Sequence, residues 1–205
     1  MNDPKIKSDL IQFYDQDATR RNAGGMVDWK RMHRSTFLER CRERGCETIL
    51  EVGSGPGRDS LFFEENRLRA FPMDLSGEMA RHCRAKGLLS ARMDSYQLGY
   101  RNETFDAVWS LNTLLHVPKA SIEEVWREIR RVMKPGAIFF LGVYGGPDSE
   151  GPSDRDANEP RRFFSYFTDD EIQTRLRQIF QLISFERTKL SLPGGHFQGL
   201  TLQKT

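Results

Sequence analysis

Thr48-Ile49-Leu50-Glu51-Val52 runs into Gly53-Ser54-Gly55-Pro56-Gly57, and Arg58-Asp59-Ser60-Leu61-Phe62 follows. The first segment is an apolar run of strand length. The last opens a helix expected to bury Leu61 and Phe62. Between them the glycines let the backbone adopt positive φ and pass close to a ligand. In an open parallel sheet the ligand crevice lies beyond the strand C-termini, where the strand order reverses. A loop and helix N-terminus placed there suit a nucleotide-like cofactor. The spacing is G-x-G-x-G with Arg58 next, whereas a dinucleotide site calls for G-x-G-x-x-G. Pro56 also removes one N–H donor. The loop therefore fits a cofactor without phosphates better than NAD.

Working outward, short apolar runs alternate with helical patterns, as in a parallel sheet flanked by helices. A second strand, Leu68 to Met73, ends at Asp74, and a helix over 77–86 follows. A third short strand, Leu88 to Met93, ends at Asp94, and Phe105 to Ser110 is the fourth. Ile122, Val125, Trp126, Ile129, Val132 and Met133 form one apolar stripe on a helix. Ser121 and Glu124 read as its capping box, and Lys134-Pro135-Gly136 as its stop. Ala137 to Val143 is the fifth strand. Residues 145–162, rich in Gly, Pro, Asp, Ser and Arg, read as a long exposed loop. Thr168 and Glu171 cap a helix burying Ile172, Leu176, Ile179 and Phe180. Two strands, Gln181 to Lys189 and His196 to Gln203, close the chain around a turn at Pro193-Gly194-Gly195. The first 47 residues read as two helices broken at Asn22-Ala23-Gly24-Gly25. Leu10, Ile11, Phe13 and Tyr14 form the first apolar face; Trp29, Met32, His33 and Phe37 form the second. This pair is expected to lie over the ligand edge of the sheet.

The 205 residues fit one domain, divided as 1–47 cap, 48–143 core, and 144–205 substrate-side loop, helix and hairpin. The 14 Phe argue for a packed interior. Lys plus Arg number 31 and Asp plus Glu 29, so the basic excess of a nucleic-acid binder is missing. The longest apolar run, Gly136 to Val143, is far short of the ~20 residues of a membrane span. Met1-Asn2-Asp3-Pro4-Lys5 has no apolar signal region. Cys41, Cys46 and Cys83 are odd in number and lack zinc-type pairing, so they read as reduced thiols in a cytoplasmic protein.

Two strand-end acids strengthen the glycine-loop reading. Asp74 is placed to accept both hydroxyls of a ribose, and Asp94 to accept from an adenine amino group. With these residues in order, 48–143 resembles the class I S-adenosylmethionine-dependent methyltransferases. The family's E/D-x-G-x-G-x-G is matched at Glu51 to Gly57, and its second-strand acid at Asp74 in Phe71-Pro72-Met73-Asp74-Leu75-Ser76. Its adenine-side acid is matched in Arg92-Met93-Asp94, and its fourth strand at Phe105 to Ser110. Leu114-Leu115-His116-Val117-Pro118 and Lys134-Pro135-Gly136-Ala137 match two further motifs. The resemblance implies an α/β, doubly wound, Rossmann-like seven-stranded sheet with helices on both faces and a reversed last strand. An N-terminal helical lid precedes it. It implies S-adenosylmethionine as cofactor and S-adenosylhomocysteine as product. It places Glu51, Gly53, Ser54, Gly55, Gly57, Asp74, Leu75, Met93, Asp94, Ser110 and Tyr14 around the cofactor.

His116 is the candidate catalytic group, as a base for a hydroxyl, thiol or amine, against a packing or capping role. Glu51 either caps the glycine loop through its N–H groups or touches ligand. His33 and His196 read as structural. Trp29, Tyr14 and Phe164 line a substrate cavity or belong to the core. Arg161-Arg162 reads as a solvated pair before an anionic-substrate contact. Ser110-Leu111-Asn112-Thr113 replaces the Asn/Asp-Pro-Pro-Tyr/Phe of enzymes acting on exocyclic amines or glutamine. Trp109-Ser110 offers no Asp for a catalytic Mg2+, and no metal site is expected. The expected activity is metal-independent methylation of an O, N or S nucleophile on a small molecule. The alternatives are a protein or RNA methyltransferase and a non-catalytic cofactor-binding protein.

Overall fold

A computed structural model describes residues 3–154, 156–157, 159–190 and 195–205. The strands β1 (Thr48–Val52), β2 (Arg69–Asp74), β3 (Ala91–Arg92), β4 (Phe105–Leu111), β5 (Met133–Gly145), β8 (Gln181–Lys189) and β9 (His196–Gln203) form one sheet. Its order is β3-β2-β1-β4-β5-β9-β8. β1 to β5 run parallel, and β9 is antiparallel to both β5 and β8. The chain walks outward through β2 and β3, then returns to place β4 on the other side of β1. The strand order reverses there, so a crevice opens beyond the C-termini of β1 and β4.

Alternation along the strands sends side chains to two cores. On β5, Phe139, Leu141 and Val143 face one core and Ile138 and Phe140 the other. The first core packs against the stripe of α5 (Ile122–Val132) and against Ile172 and Leu176 of α6 (Asp169–Leu176). The second packs against Phe37, Leu38 and Cys41 of α2 (Asp28–Glu43) and Phe63 of α3 (Arg58–Glu65). Trp109 stacks on Phe140 at 4.3 Å within it. α1 (Pro4–Ala23) packs against α4 (Gly77–Ala85) above the crevice.

Several local expectations need correction. α3 buries Phe63, while Leu61 and Phe62 stay half-buried. Met32 is 54% exposed, because the inward face of α2 is His33, Phe37 and Cys41. α6 ends at Leu176, so Ile179 and Phe180 lie beyond it. β3 shrinks to two residues. Ser121 does not cap α5 with its side chain; its hydroxyl meets the Tyr96 hydroxyl at 3.0 Å. Lys134-Pro135-Gly136 lies inside β5, where Gly136 has φ +79° and the register against β4 shifts. The 145–162 segment is not all loop: β6 (Ser149–Pro152) pairs antiparallel with β7 (Phe163–Tyr166). Thr168 does cap its helix, accepting from the Glu171 amide at 3.2 Å. Pro193 and Gly194 of the expected last turn lie outside the described residues.

Candidate active site

A cavity of about 470 Å³ occupies the switch point. Its floor is the loop after β1, and three glycines do different work there. Gly53 has φ +75°, and a Cβ there would lie 2.1 Å from the Thr113 side chain. Gly57 has φ +81°, and a Cβ there would meet Cys83 Sγ and Leu88 at 2.8 Å. Gly57 does not line the cavity; it lets α3 settle against α4. Only Gly55 faces open space, with φ +53° and nothing within 4 Å of its Cβ position.

Asp74, at the end of β2, ties this loop to the turn that follows it. Its Oδ2 accepts the Gly55 amide at 2.8 Å and its Oδ1 the Ser76 amide at 2.9 Å. Burial outweighs these amides and pushes its pKa up to about 6. Glu51 is buried, but the Ser60 hydroxyl donates to its Oε2, rather than the loop amides. Burial, then the nearby Asp59, holds Glu51 well above the usual carboxylate range. Ser54, Leu75, Met93 and Asp94 line the same end. Ser110 does not: it is fully buried and donates to the Val52 carbonyl at 3.1 Å, tying β4 to β1.

α1 roofs the cavity and is fastened at both ends. Lys7 pairs with Asp94, and its Nζ lies 4.2 Å from the Tyr96 ring centroid. Asp15 accepts from the Ser76 hydroxyl at 2.5 Å and the Glu78 amide at 3.2 Å. Lys86 donates to Asn22 at 2.6 Å, and Arg58 donates to the Arg21 carbonyl. The residue that breaks the dinucleotide pattern is thus a latch for the roof.

Tyr14 hangs from α1 into the far end of the cavity, opposite His116 in the 3-10 turn Leu114–His116. His116 Nδ1 lies 2.6 Å from the Phe163 carbonyl, which can only accept, so Nδ1 carries the proton. Nε2 is then the acceptor for the Tyr14 hydroxyl at 2.6 Å. Burial, with Arg162 and Arg21 nearby, lowers the His116 pKa to about 3. The imidazole is neutral near pH 7 and a weak base.

Several cavity residues escaped the sequence reading. Arg162 is not solvated: its guanidinium clasps Asp156 at 2.5 and 2.9 Å and lies 5.1 Å from the Phe164 ring. Asn112 has φ +56°, a strained backbone of the kind found at functional sites, and donates to the Tyr144 hydroxyl at 3.3 Å. Lys30 also lines the cavity, and burial lowers its pKa. Below the floor, Asp59 accepts from Arg34 at 2.9 Å and Trp109 Nε1 at 3.1 Å. Trp29 and His33 lie elsewhere, packed on Phe197 at 4.4 and 5.1 Å. His196 bonds Asp169 at 2.6 Å, also away from the cavity.

This sheet order, with one reversed strand and a glycine loop at the switch point, is the class I methyltransferase fold. The chain has that fold, and its residues 50–141 match the family described as "Methyltransferase domain". It is 33% identical over 105 residues to the sterol 24-C-methyltransferase of Candida albicans, covering 47% of this chain and 27% of that protein. A sterol 24-C-methyltransferase of Gibberella zeae is 45% identical over 105 residues with the same coverage. The chain thus spans about a quarter of the length of these curated relatives. Among solved structures, 1,6-didemethyltoxoflavin-N1-methyltransferase of Burkholderia thailandensis superposes with TM-score 0.73 at 23% identity, covering 98% of this chain and 87% of that one. The [4+2]-cyclase SpnF also superposes with TM-score 0.73, at 18% identity, covering 95% and 94%. The fold therefore carries more than one chemistry, and activity has to be argued from the site.

Proposed function

We propose that this protein is an S-adenosylmethionine-dependent methyltransferase acting on a small molecule. The observation that carries this reading is Asp74: a half-buried carboxylate tying the open glycine loop to the turn after β2, in a cavity roofed by α1. Its geometry fits the cofactor. Each Asp74 oxygen accepts one amide and keeps lone pairs for a ribose diol, and Gly55 leaves the approach clear. Leu75 and Met93 offer apolar surface for an adenine, and Asp94 a polar edge. Glu51, Gly53 and Ser54 would hold the amino-acid end, with Lys30 among the cavity's cations for its carboxylate. The cofactor supplies an activated methyl group on sulfur. The protein supplies alignment, worth roughly 7–11 kcal/mol in favourable cases, and exclusion of water.

Enclosure under α1 favours a small acceptor over a protein or RNA chain. The Burkholderia neighbour, solved with 1,6-didemethyltoxoflavin and S-adenosylhomocysteine, shows that this fold accommodates such a pair. We assign His116 to holding the Tyr14 hydroxyl, because a base with a pKa of about 3 has little drive to take a proton. We read the chain as one domain: cap 1–47, core 48–143, substrate side 144–205. No helix among the described residues is long and apolar enough to cross a membrane. The free cysteines suit the cytoplasm.

Thermal unfolding with S-adenosylmethionine, S-adenosylhomocysteine and NAD in parallel tests the proposal. A sulfur cofactor at about 100 times its Kd adds ~2.7 kcal/mol. That raises the midpoint by roughly 5–11 °C for a chain of this size. A shift with NAD alone, or no S-adenosylhomocysteine formed from any nucleophile despite binding, refutes it. The roof is expected to open to admit the cofactor, since Lys7 and Asp15 of α1 tie it to Asp94 and Ser76, which line the cavity. Amides of residues 3–23 will therefore exchange more slowly with S-adenosylhomocysteine bound; equal exchange in both states would contradict a closing roof.

A further inference from the structure

The far end of the cavity carries information about the acceptor. Tyr14, His116, Tyr144, Arg162 and Phe164 surround it. The Arg162 guanidinium lies 4.5, 5.1 and 6.0 Å from the ring centroids of Phe13, Phe164 and Tyr14. Phe164 in turn stacks on Tyr166 at 5.8 Å. A box of aromatic rings is a common receptor for an ammonium ligand. Here the box already holds a cation, and it is the protein's own.

A second guanidinium, Arg21, lies 4.8 Å from the Tyr14 ring. The carboxylates that balance these cations are already engaged. Asp156 is clasped by Arg162, and Asp17 accepts from Arg20 and Arg21. Asp74, at the cofactor end, already accepts two amides. An alkylammonium acceptor would meet two guanidiniums and no unpaired carboxylate. Nor does a free base stand here. His116 spends one nitrogen on the Phe163 carbonyl and the other on Tyr14. Two of the five guanidinium N–H groups of Arg162 are used on Asp156, and the remainder can donate. The end of the cavity is planar-walled and presents guanidinium N–H donors whose charge is balanced by Asp156 and Asp17.

We infer that the acceptor is a planar acidic aromatic, a phenol, enol or heteroaromatic N–H, that binds already deprotonated with its anionic oxygen or nitrogen against Arg162. This rests on the methyltransferase reading. The balance is simple. The anion's lone pair forms the bond to the methyl carbon, and the carbon–sulfur bond breaks with its pair going to sulfur. The two opposite charges cancel, and the acceptor's proton has already gone to water. Arg162 positions the anion and sets the specificity; Tyr14, its proton held by His116, walls the site beside it.

The probe is 4-nitrophenol, whose phenolate absorbs visibly, titrated with pH in the presence of the protein, with and without S-adenosylhomocysteine. The bound form will show an apparent pKa lowered by about one to three, as expected for a cation in hydrogen-bond contact. Arg162→Gln will return it to the free value while S-adenosylhomocysteine binding persists. Arg162→Lys, which keeps the charge and loses the fork, will retain part of the effect. In a turnover panel, acidic phenols and heteroaromatic N–H compounds will outpace alkylamines of equal size by about tenfold or more, equivalent to ~1.4 kcal/mol. Nitrophenol bound as the neutral form, no binding of it, or equal turnover of the amines overturns the inference. A lowered pKa without S-adenosylhomocysteine binding would instead overturn the cofactor reading and leave the anion site standing.

Discussion

Asp74→Ala lowers affinity for S-adenosylhomocysteine by about 10²–10⁴-fold, because two hydrogen bonds to a charged acceptor are worth ~1.5–3 kcal/mol each. Isothermal titration at pH 7.5 is the check, and a change below tenfold would remove Asp74 from the cofactor site. The pH dependence sharpens the test. The Asp74 pKa is about 6 in the folded protein against an ordinary value of 3.8. Between those values the folded chain holds the proton more tightly than the unfolded one. The stabilising contribution of Asp74 is thus full below about 3.8 and is lost as pH rises through about 6. Binding has the opposite sign, because ribose hydroxyls donate best to the ionised form. Affinity therefore rises between pH 5 and 7, and Asp74→Asn abolishes that rise. Without ligand, Asp74→Asn is as stable as the wild type or more so at pH 7.5. The native residue carries a desolvation cost there for the sake of the site.

This carboxylate was legible in the sequence because its signal is local. A strand, a glycine turn, a helix and a strand-end acid each announce themselves over a few residues, and right-handed crossovers then fix where they meet. The apolar stripe of α5 was legible for the same reason: one helix face repeats within one segment. What escaped is what the fold brings together from afar. Arg161 and Arg162 look alike in sequence, yet extended backbone sends neighbours to opposite sides. The Arg161 side chain is 40% exposed, while that of Arg162 is 19% exposed and turned onto three rings. β6 contains Gly151 and Pro152 and no apolar alternation, so only its backbone pairing to β7 makes it a strand. His116 was found as a residue, but its role depends on Tyr14, 102 positions away, and on a carbonyl in β7. Gly57 and Ser110 fell on motif positions, yet their neighbours give them packing and strand-tying work.

Asp59 is the clearest case of a residue masked by its context, and its removal gives the largest expected loss of stability. An acid in the first turn of a helix reads as a dipole partner. In the structure it is buried at 6% exposure beneath the glycine loop. It joins α2 to β4 through Arg34 and Trp109. Burial raises its pKa despite Arg34, so the ion pair itself was costly to bury. Asp59→Ala leaves the Arg34 cation, 13% exposed, and the Trp109 N–H without their acceptor. Breaking a buried pair from one side costs about 3–5 kcal/mol. Relief of Glu51, which Asp59 pushes up, offsets part of this, so the lower end applies. A loss of about 3 kcal/mol lowers the midpoint by roughly 6–12 °C at this size. Replacing both partners, Arg34→Met with Asp59→Leu, recovers most of the loss, because no charge or cavity is then stranded. Chemical denaturation of the two single variants and the double variant measures the coupling directly. If the double variant is as unstable as the sum of the singles, the pair is not coupled, and the cost of Asp59→Ala lies in the loop it supports.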